Sequence, residues 1–273
     1  MNTAKKGWGA WLLISVVILY MGFLLIAPIS VFVKSAFKDG LSPVWQSIIA
    51  PSFLGSLSLS VLIALLVVMV QVVFGTLIAW VIVRQDFWGK SLLNNIIEIP
   101  FAISPVVVGY MLLLLFGRNG YLSPVIDWLN IKVAFAVPGM FLATLFVCLP
   151  FMIREMIPAI HNLDQQQELA AATLGANQWE EFWRIIFPQL KSAVIYGMTL
   201  TLARALGEFG AVLVIGGGIQ GRTETATLYI FRSLEERQFI QAYTMSIFLG
   251  AFSVFIVLVA DRIKRKSKIN RFH

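Results

Sequence analysis

Arg204 and Glu208, in the string LARALGEFGA, are opposite charges four residues apart, the spacing that brings two side chains onto one face of a helix. They fall inside an apolar run from Ser192 to Ile215. A charge at a bilayer centre costs about 2.5–3.5 kcal/mol on insertion scales, so both must face a protein interior or a solute pathway. Two chemistries are open. The pair neutralises itself as a structural element, or Arg204 offers a guanidinium fork to an oxyanion while Glu208 holds it in place and keeps an empty pathway from trapping anions.

The second constellation is the polar stretch ELAAATLGANQWEEFWRIIFP, from Glu168 to Pro188. Asp164 can cap a first helix and Gly175 can end it, while Asn177 and Glu180 have the spacing of a capping box for a second. In that second helix Trp179, Phe182, Trp183, Ile186 and Phe187 recur at helical spacing, with Gln178, Glu180, Glu181 and Arg184 on the opposite face and Pro188 as its stop. Ala170, Ala171 and Ala172 leave a low surface where a foreign backbone can approach. The pattern fits a knob seated in another protein's groove, or equally an interfacial helix resting on lipid.

The elements that position these residues are hydrophobic. Apolar residues make up 59% of the chain and charged residues 13%, against about 25% charged in soluble domains, and the mean hydropathy is +0.84. About 20 apolar residues cross a bilayer. Six such runs are expected, giving an all-α polytopic membrane protein: Trp8 to Val33, Phe53 to Val83, Leu93 to Phe116, Ala134 to Ile153, Ser192 to Ile215 and Ile240 to Ala260. Pro100 and Pro105 should kink or interrupt the third. The first run exceeds a signal-peptide core and lacks a clear small-x-small cleavage site, so it is expected to stay as a span.

Basic residues set the orientation. With the N-terminus inside, thirteen cations fall in the cytoplasm (Lys5, Lys6, Arg84, Lys90, Arg154, Arg184, Lys191, Arg262, Lys264, Arg265, Lys266, Lys268, Arg271) and seven outside (Lys34, Lys38, Arg118, Lys132, Arg222, Arg232, Arg237). Both termini, and a loop over residues 156–191, are therefore expected in the cytoplasm. This topology and anionic membrane lipid account for the sequence pI near 9.7 without a nucleic-acid partner.

Other motifs carry little chemistry. Cys148 has no second thiol to pair with. The two histidines, His161 and His273, belong to no H-E-x-x-H string, and no G-x-S-x-G occurs, so no catalytic, metal-binding or cofactor-binding residue is assigned. GGGIQGRT, from Gly216 to Thr223, nearly matches a phosphate-binding loop but follows a membrane helix rather than a strand. It is expected to be a flexible outer connection, and the chain is not expected to hydrolyse a nucleotide itself. Glu98 is either a pathway residue or sits near the cytoplasmic water interface, the second being the favoured reading.

The Glu168 to Pro188 stretch resembles the coupling motif of ATP-binding-cassette importer permeases, written E-A-A, three residues, G, nine residues, I-x-L-P. Ala170, Ala171, Gly175, Ile185 and Pro188 fall on that pattern, Phe187 stands where leucine is usual, and Leu169 holds the usual glutamate position with Glu168 one residue before it. The resemblance implies that Glu168, Ala170, Ala171, Gly175, Ile185 and Pro188 dock into a separate ATPase subunit, which binds the ATP and Mg. RALGEFGA and IPFAISPVVVGY (Ile99 to Tyr110) resemble strings of sulfate and molybdate permeases. Over nearly the whole chain the likeness is to the sulfate/thiosulfate permease family, W-type branch. It implies a single permease domain over residues 1–273 of the binding-protein-dependent importer fold, in a bacterial cytoplasmic (inner) membrane. Implied partners are a T-type permease, two ATPase subunits and an extracytoplasmic sulfate-binding protein. Arg204 and Glu208 would line the pathway for sulfate or thiosulfate. A homodimeric molybdate or tungstate permease is the alternative within the family. A secondary anion transporter or channel is the alternative of another class, and it leaves the polar loop without a role.

Overall fold

A computed structural model describes residues 8–269, so Lys5, Lys6, Arg271 and His273 lie outside the described residues. Among them every regular element is helical. α1 (Trp8–Ala36) leads through the short α2 (Leu41–Ile49) into α3 (Pro51–Arg84), where Pro51 takes the first helical turn, the position that needs no N–H. α4 (Lys90–Ala102) and α5 (Pro105–Phe116) meet at a 109° bend. Pro105 cannot donate to the helix ladder and drives Ser104 into extended backbone at ψ 135°, so the chain turns there instead of kinking gently.

α6 (Ser123–Leu129) and α7 (Val137–His161) follow, then α8 (Gln165–Thr173), α9 (Gln178–Glu181) and, after one π-helical turn at Phe182–Ile186, α10 (Phe187–Leu206). α11 (Gly210–Gly216), α12 (Ala226–Glu235) and α13 (Phe239–Ile269) complete the chain. Five helices are long and apolar enough to cross a membrane, and six spans result if the bent α4–α5 pair counts as one. The exposed apolar side chains of α1, which include Trp11, Leu19, Phe23 and Ile29, are what a lipid-facing surface requires. The chain is a multi-pass membrane protein.

Two corrections to the sequence reading follow from backbone chemistry, and the helix that carries the fourth span runs on to His161. Pro188 does not stop the second loop helix. The π turn, closed by Phe187 N–H to the Phe182 carbonyl, widens the ladder just before the proline, and α9 continues into the fifth span as one helical body. The fifth span in turn is broken at Gly207–Phe209, leaving α11 as a separate seven-residue piece.

The core sits in layers along the bundle. One cluster joins Phe53, Ile63, Met140, Leu206, Tyr229 and Met245; another joins Ile82, Ile97, Met152, Met156 and Leu190. A third, Val108, Ala143, Val147, Ala211 and Ile215, fixes α5 and α11 to α7. A Cβ on Gly109 would sit 2.6 Å from the Ala211 carbonyl oxygen, so α5 and α11 touch backbone to backbone. Gln71, fully buried on α3, donates from Nε2 to the Leu145 carbonyl at 3.2 Å and ties α3 to α7.

Candidate functional site

Glu208 lies in the break between α10 and α11, not on a continuous helical face with Arg204 as the spacing predicts. The pair nonetheless forms, with Arg204 Nη1 2.8 Å from Glu208 Oε2. The other carboxylate oxygen accepts from Ala211 N–H at 3.0 Å and so caps the first turn of α11. The Glu208 carbonyl accepts from Thr227 Oγ1 at 2.7 Å, which pins the break against the start of α12. A carboxylate 2% exposed would cost several kcal/mol if bare; the charge of Arg204 beside Oε2 and the Ala211 N–H on Oε1 offset that, although Oε2 itself accepts no hydrogen bond.

The two members differ in access. The Arg204 side chain is 29% exposed while Glu208 is closed off, so the cation is the half of the pair that a solute can reach. Two short helices start beside this point, α5 after the break at Ser104 and α11 after the break at Gly207–Phe209. They pack together there: a Cβ on Gly210 would lie 3.4 Å from the Pro105 Cβ. Cys148 and Thr201 adjoin from α7 and α10, with the thiol 4.0 Å from the Thr201 carbonyl. Arg204 is therefore a paired and partly accessible cation, not a free one.

The loop at the far end of α7 is built by its caps. Asp164 accepts from Gln166 N–H at 3.0 Å, and Asn177 and Glu180 exchange both bonds of a capping box at 2.9 and 3.2 Å. Gly175 follows the end of α8 at φ +82°, a backbone that side-chain-bearing residues resist. Ala171 is buried, whereas Ala170 and Gly175 are exposed and Ile185 is half-buried beside them. These residues line a concave patch of about 580 Å³ together with Leu174 and Arg184. Leu174 and Trp179 are 87% and 71% exposed, the Trp179 ring meeting Trp183 edge-on at 5.7 Å between centroids. Pro188 is exposed at the head of α10.

Glu168 turns away from this patch. It pairs with Arg84, the last residue of α3, whose guanidinium also lies over the Trp80 ring at 5.1 Å. The sequence reading used Arg84 only as a topology marker; no local pattern joins residues so far apart. Glu98, expected near the water interface, pairs with Arg154 at 2.7 Å with both side chains about half exposed.

At the opposite end of α7, a second ion pair escaped the sequence reading. Glu224, 2% exposed, accepts from Arg232 Nε at 2.5 Å and from Ser56 Oγ at 3.1 Å, joining α12 to the start of α3. Hydrogen bonding to Glu224 raises the Arg232 pKa above its ordinary value, so the guanidinium stays charged. The neighbouring GGGIQGRT segment is not the slack connection its composition suggests. Thr223 Oγ1 donates to the Gly216 carbonyl at 2.7 Å and accepts from Ile219 N–H at 3.0 Å, fixing the turn.

A polytopic helical bundle with broken spans around a buried ion pair, and a capped polar loop at one end, defines a membrane permease. Residues 71–267 match the family described as binding-protein-dependent transport system inner membrane component, and the chain belongs to that family. It is 42% identical to the sulfate transport system permease protein CysW of Synechococcus elongatus over 96% of this chain and 92% of that one. With CysW of Escherichia coli K12 it shares 38% identity over 94% and 88% of the two chains. A crystal structure of a bacterial ABC transporter that imports alginate has the same fold, with a TM-score of 0.79, 18% identity and 96% of both chains covered.

Proposed function

We propose that this chain is a permease subunit of an ATP-driven importer for sulfate or thiosulfate, contributing half of the pathway. The observation that carries the reading is the combination of the capped loop, with exposed Leu174 beside Ala170, Gly175 and Ile185, and the Arg204–Glu208 pair at the break in the fifth span. Relatives named as sulfate permeases over nearly the whole chain support the cargo over molybdate or tungstate.

In this mechanism the chain performs no bond chemistry. A partner ATPase binds ATP and Mg and seats the loop in a groove, contacting Ala170, Ala171, Gly175, Ile185 and Pro188. Because α9 runs through the π turn into α10 without a joint, displacement of the loop rotates α10 as a body. Glu168, bonded to Arg84, carries the same displacement to α3. The break at Gly207–Phe209 then lets α11 and α5 shift relative to α10, opening the pathway beside Arg204. A T-type second permease, two ATPase copies and an extracytoplasmic sulfate-binding protein complete the assembly in a bacterial inner membrane, with both termini and the loop in the cytoplasm.

The test is to purify the tagged chain and identify what accompanies it. A distinct second permease with an ATPase supports the reading. Two identical permeases favour the molybdate alternative, and sulfate movement by the chain alone in vesicles overturns the reading.

A further inference from the structure

At the end of α7 opposite the polar loop, a cleft of about 710 Å³ opens between the 117–136 segment and the glycine-rich turn that ends in Arg222. Its charged lining is Arg118, Lys132 and Arg222 on one side of the balance and Asp127 on the other. None of the three cations has an ion-pair partner among the described residues. The wall is tied down at Phe135 and at the turn before Arg222. The Phe135 N–H donates to the Ile215 carbonyl at 2.8 Å, a Cβ on Gly217 (φ +71°) would press on the Phe135 ring at 2.8 Å, and Thr223 fixes the turn that presents Arg222.

We propose that this cleft is a second anion site, taking a tetrahedral oxyanion of the sulfate class before it reaches Arg204. Three cations, Arg118 and Lys132 from one segment and Arg222 from the other, against one carboxylate leave a net positive concavity, and low-dielectric walls focus such a field on a small anion. Arginine forks match tetrahedral oxyanions two oxygens at a time. The place in the fold agrees: α5 and α11 both end at the cleft wall, and both begin at the breaks beside Arg204 and Glu208. At 1.5 Å per residue the two helices place the cleft about 10–18 Å from the ion pair along the same packed unit. Only the identity of the anion rests on the transport reading above.

The same chemistry would hold a phospholipid headgroup, and the test separates the two. The full chain is placed in nanodiscs of zwitterionic lipid at low ionic strength, and equilibrium binding of radiolabelled sulfate is measured. R118Q/K132Q/R222Q is expected to weaken binding at least tenfold with the thermal unfolding profile unchanged, and D127N to tighten it about threefold. Binding by the wild type should fall as potassium chloride is added. Equal binding by the triple variant and the wild type overturns the proposal, as does loss of binding in R204A with the cleft intact. Complete displacement of sulfate by anionic lipid assigns the cleft to a headgroup and also overturns it. If D127N binds more tightly but the assembled transporter carries no sulfate, the cleft stands and the transport reading falls.

Discussion

Arg84 and Glu168 form an ion pair across 84 positions of sequence, joining the tip of α3 to the first turn of α8. α3 has 34 residues, about 50 Å of helix against a hydrocarbon core of about 30 Å. Its last residue is what reaches the loop. With both side chains under one-fifth exposed, the pair is screened less than a surface bridge. R84Q and E168Q should each lower uptake several-fold, and the exchange R84E/E168R should recover much of it. A double-mutant cycle on thermal unfolding should give a coupling energy of about 1 kcal/mol. Additive effects would mean that the pair carries no load.

Gly175 should rank substitutions by backbone tolerance. A Cβ there meets nothing within 4 Å, so the cost comes from φ +82° alone. Gly175→Asn should be mild and Gly175→Ala intermediate, with Gly175→Val costing most, on a scale of about 1–2 kcal/mol for the left-handed backbone. Membrane insertion, read by protease protection, should not change, while ATP-driven uptake falls in the same order. Uptake unaffected by valine would argue against this turn as the docking element.

Arg204→Ala leaves the Glu208 carboxylate buried without its cation, a change that costs about 3–5 kcal/mol in other buried pairs. Adding Glu208→Gln should recover most of that stability, because glutamine still accepts from Ala211 N–H without a charge. Uptake should stay low in the double variant. Wild-type uptake by R204A/E208Q would reduce the pair to packing.

Tyr229 offers a test by pH. Burial in front of all else pushes its hydroxyl above the ordinary value near 10, and the hydroxyl donates to Gln241 Oε1 at 3.2 Å. A group whose folded pKa is raised binds its proton more tightly in the folded state. Its stabilisation is complete below pH 10 and is lost as pH rises toward the folded value. The unfolding midpoint should therefore drop above about pH 10, and Tyr229→Phe should flatten that alkaline limb. An unchanged limb would place the titrating group elsewhere.

Much of this was readable from local chemistry. The caps at Asp164 and Asn177, the stop at Gly175 and the interruption at Pro105 each depend on residues within four positions, so their types and spacing announce them. Pro188 misled because a proline normally ends a helix; a π turn one residue earlier removes the clash, and nothing in FWRII advertises it. Glu208 misled for a similar reason: helical spacing put it beside Arg204, and the pair formed even though the helix had already ended.

Sequence alone determined that this is a helical membrane protein with about six spans, a capped polar loop and one costly charge pair, because hydropathy and capping act over a few residues. Tertiary structure alone decided where Glu168 points, that Glu224 binds Ser56 168 positions away, and that Arg118, Lys132 and Arg222 share one cleft. Those relationships depend on which helices lie side by side, and that is set by the summed packing of surfaces such as Gly109 on Ala211, which no local pattern encodes.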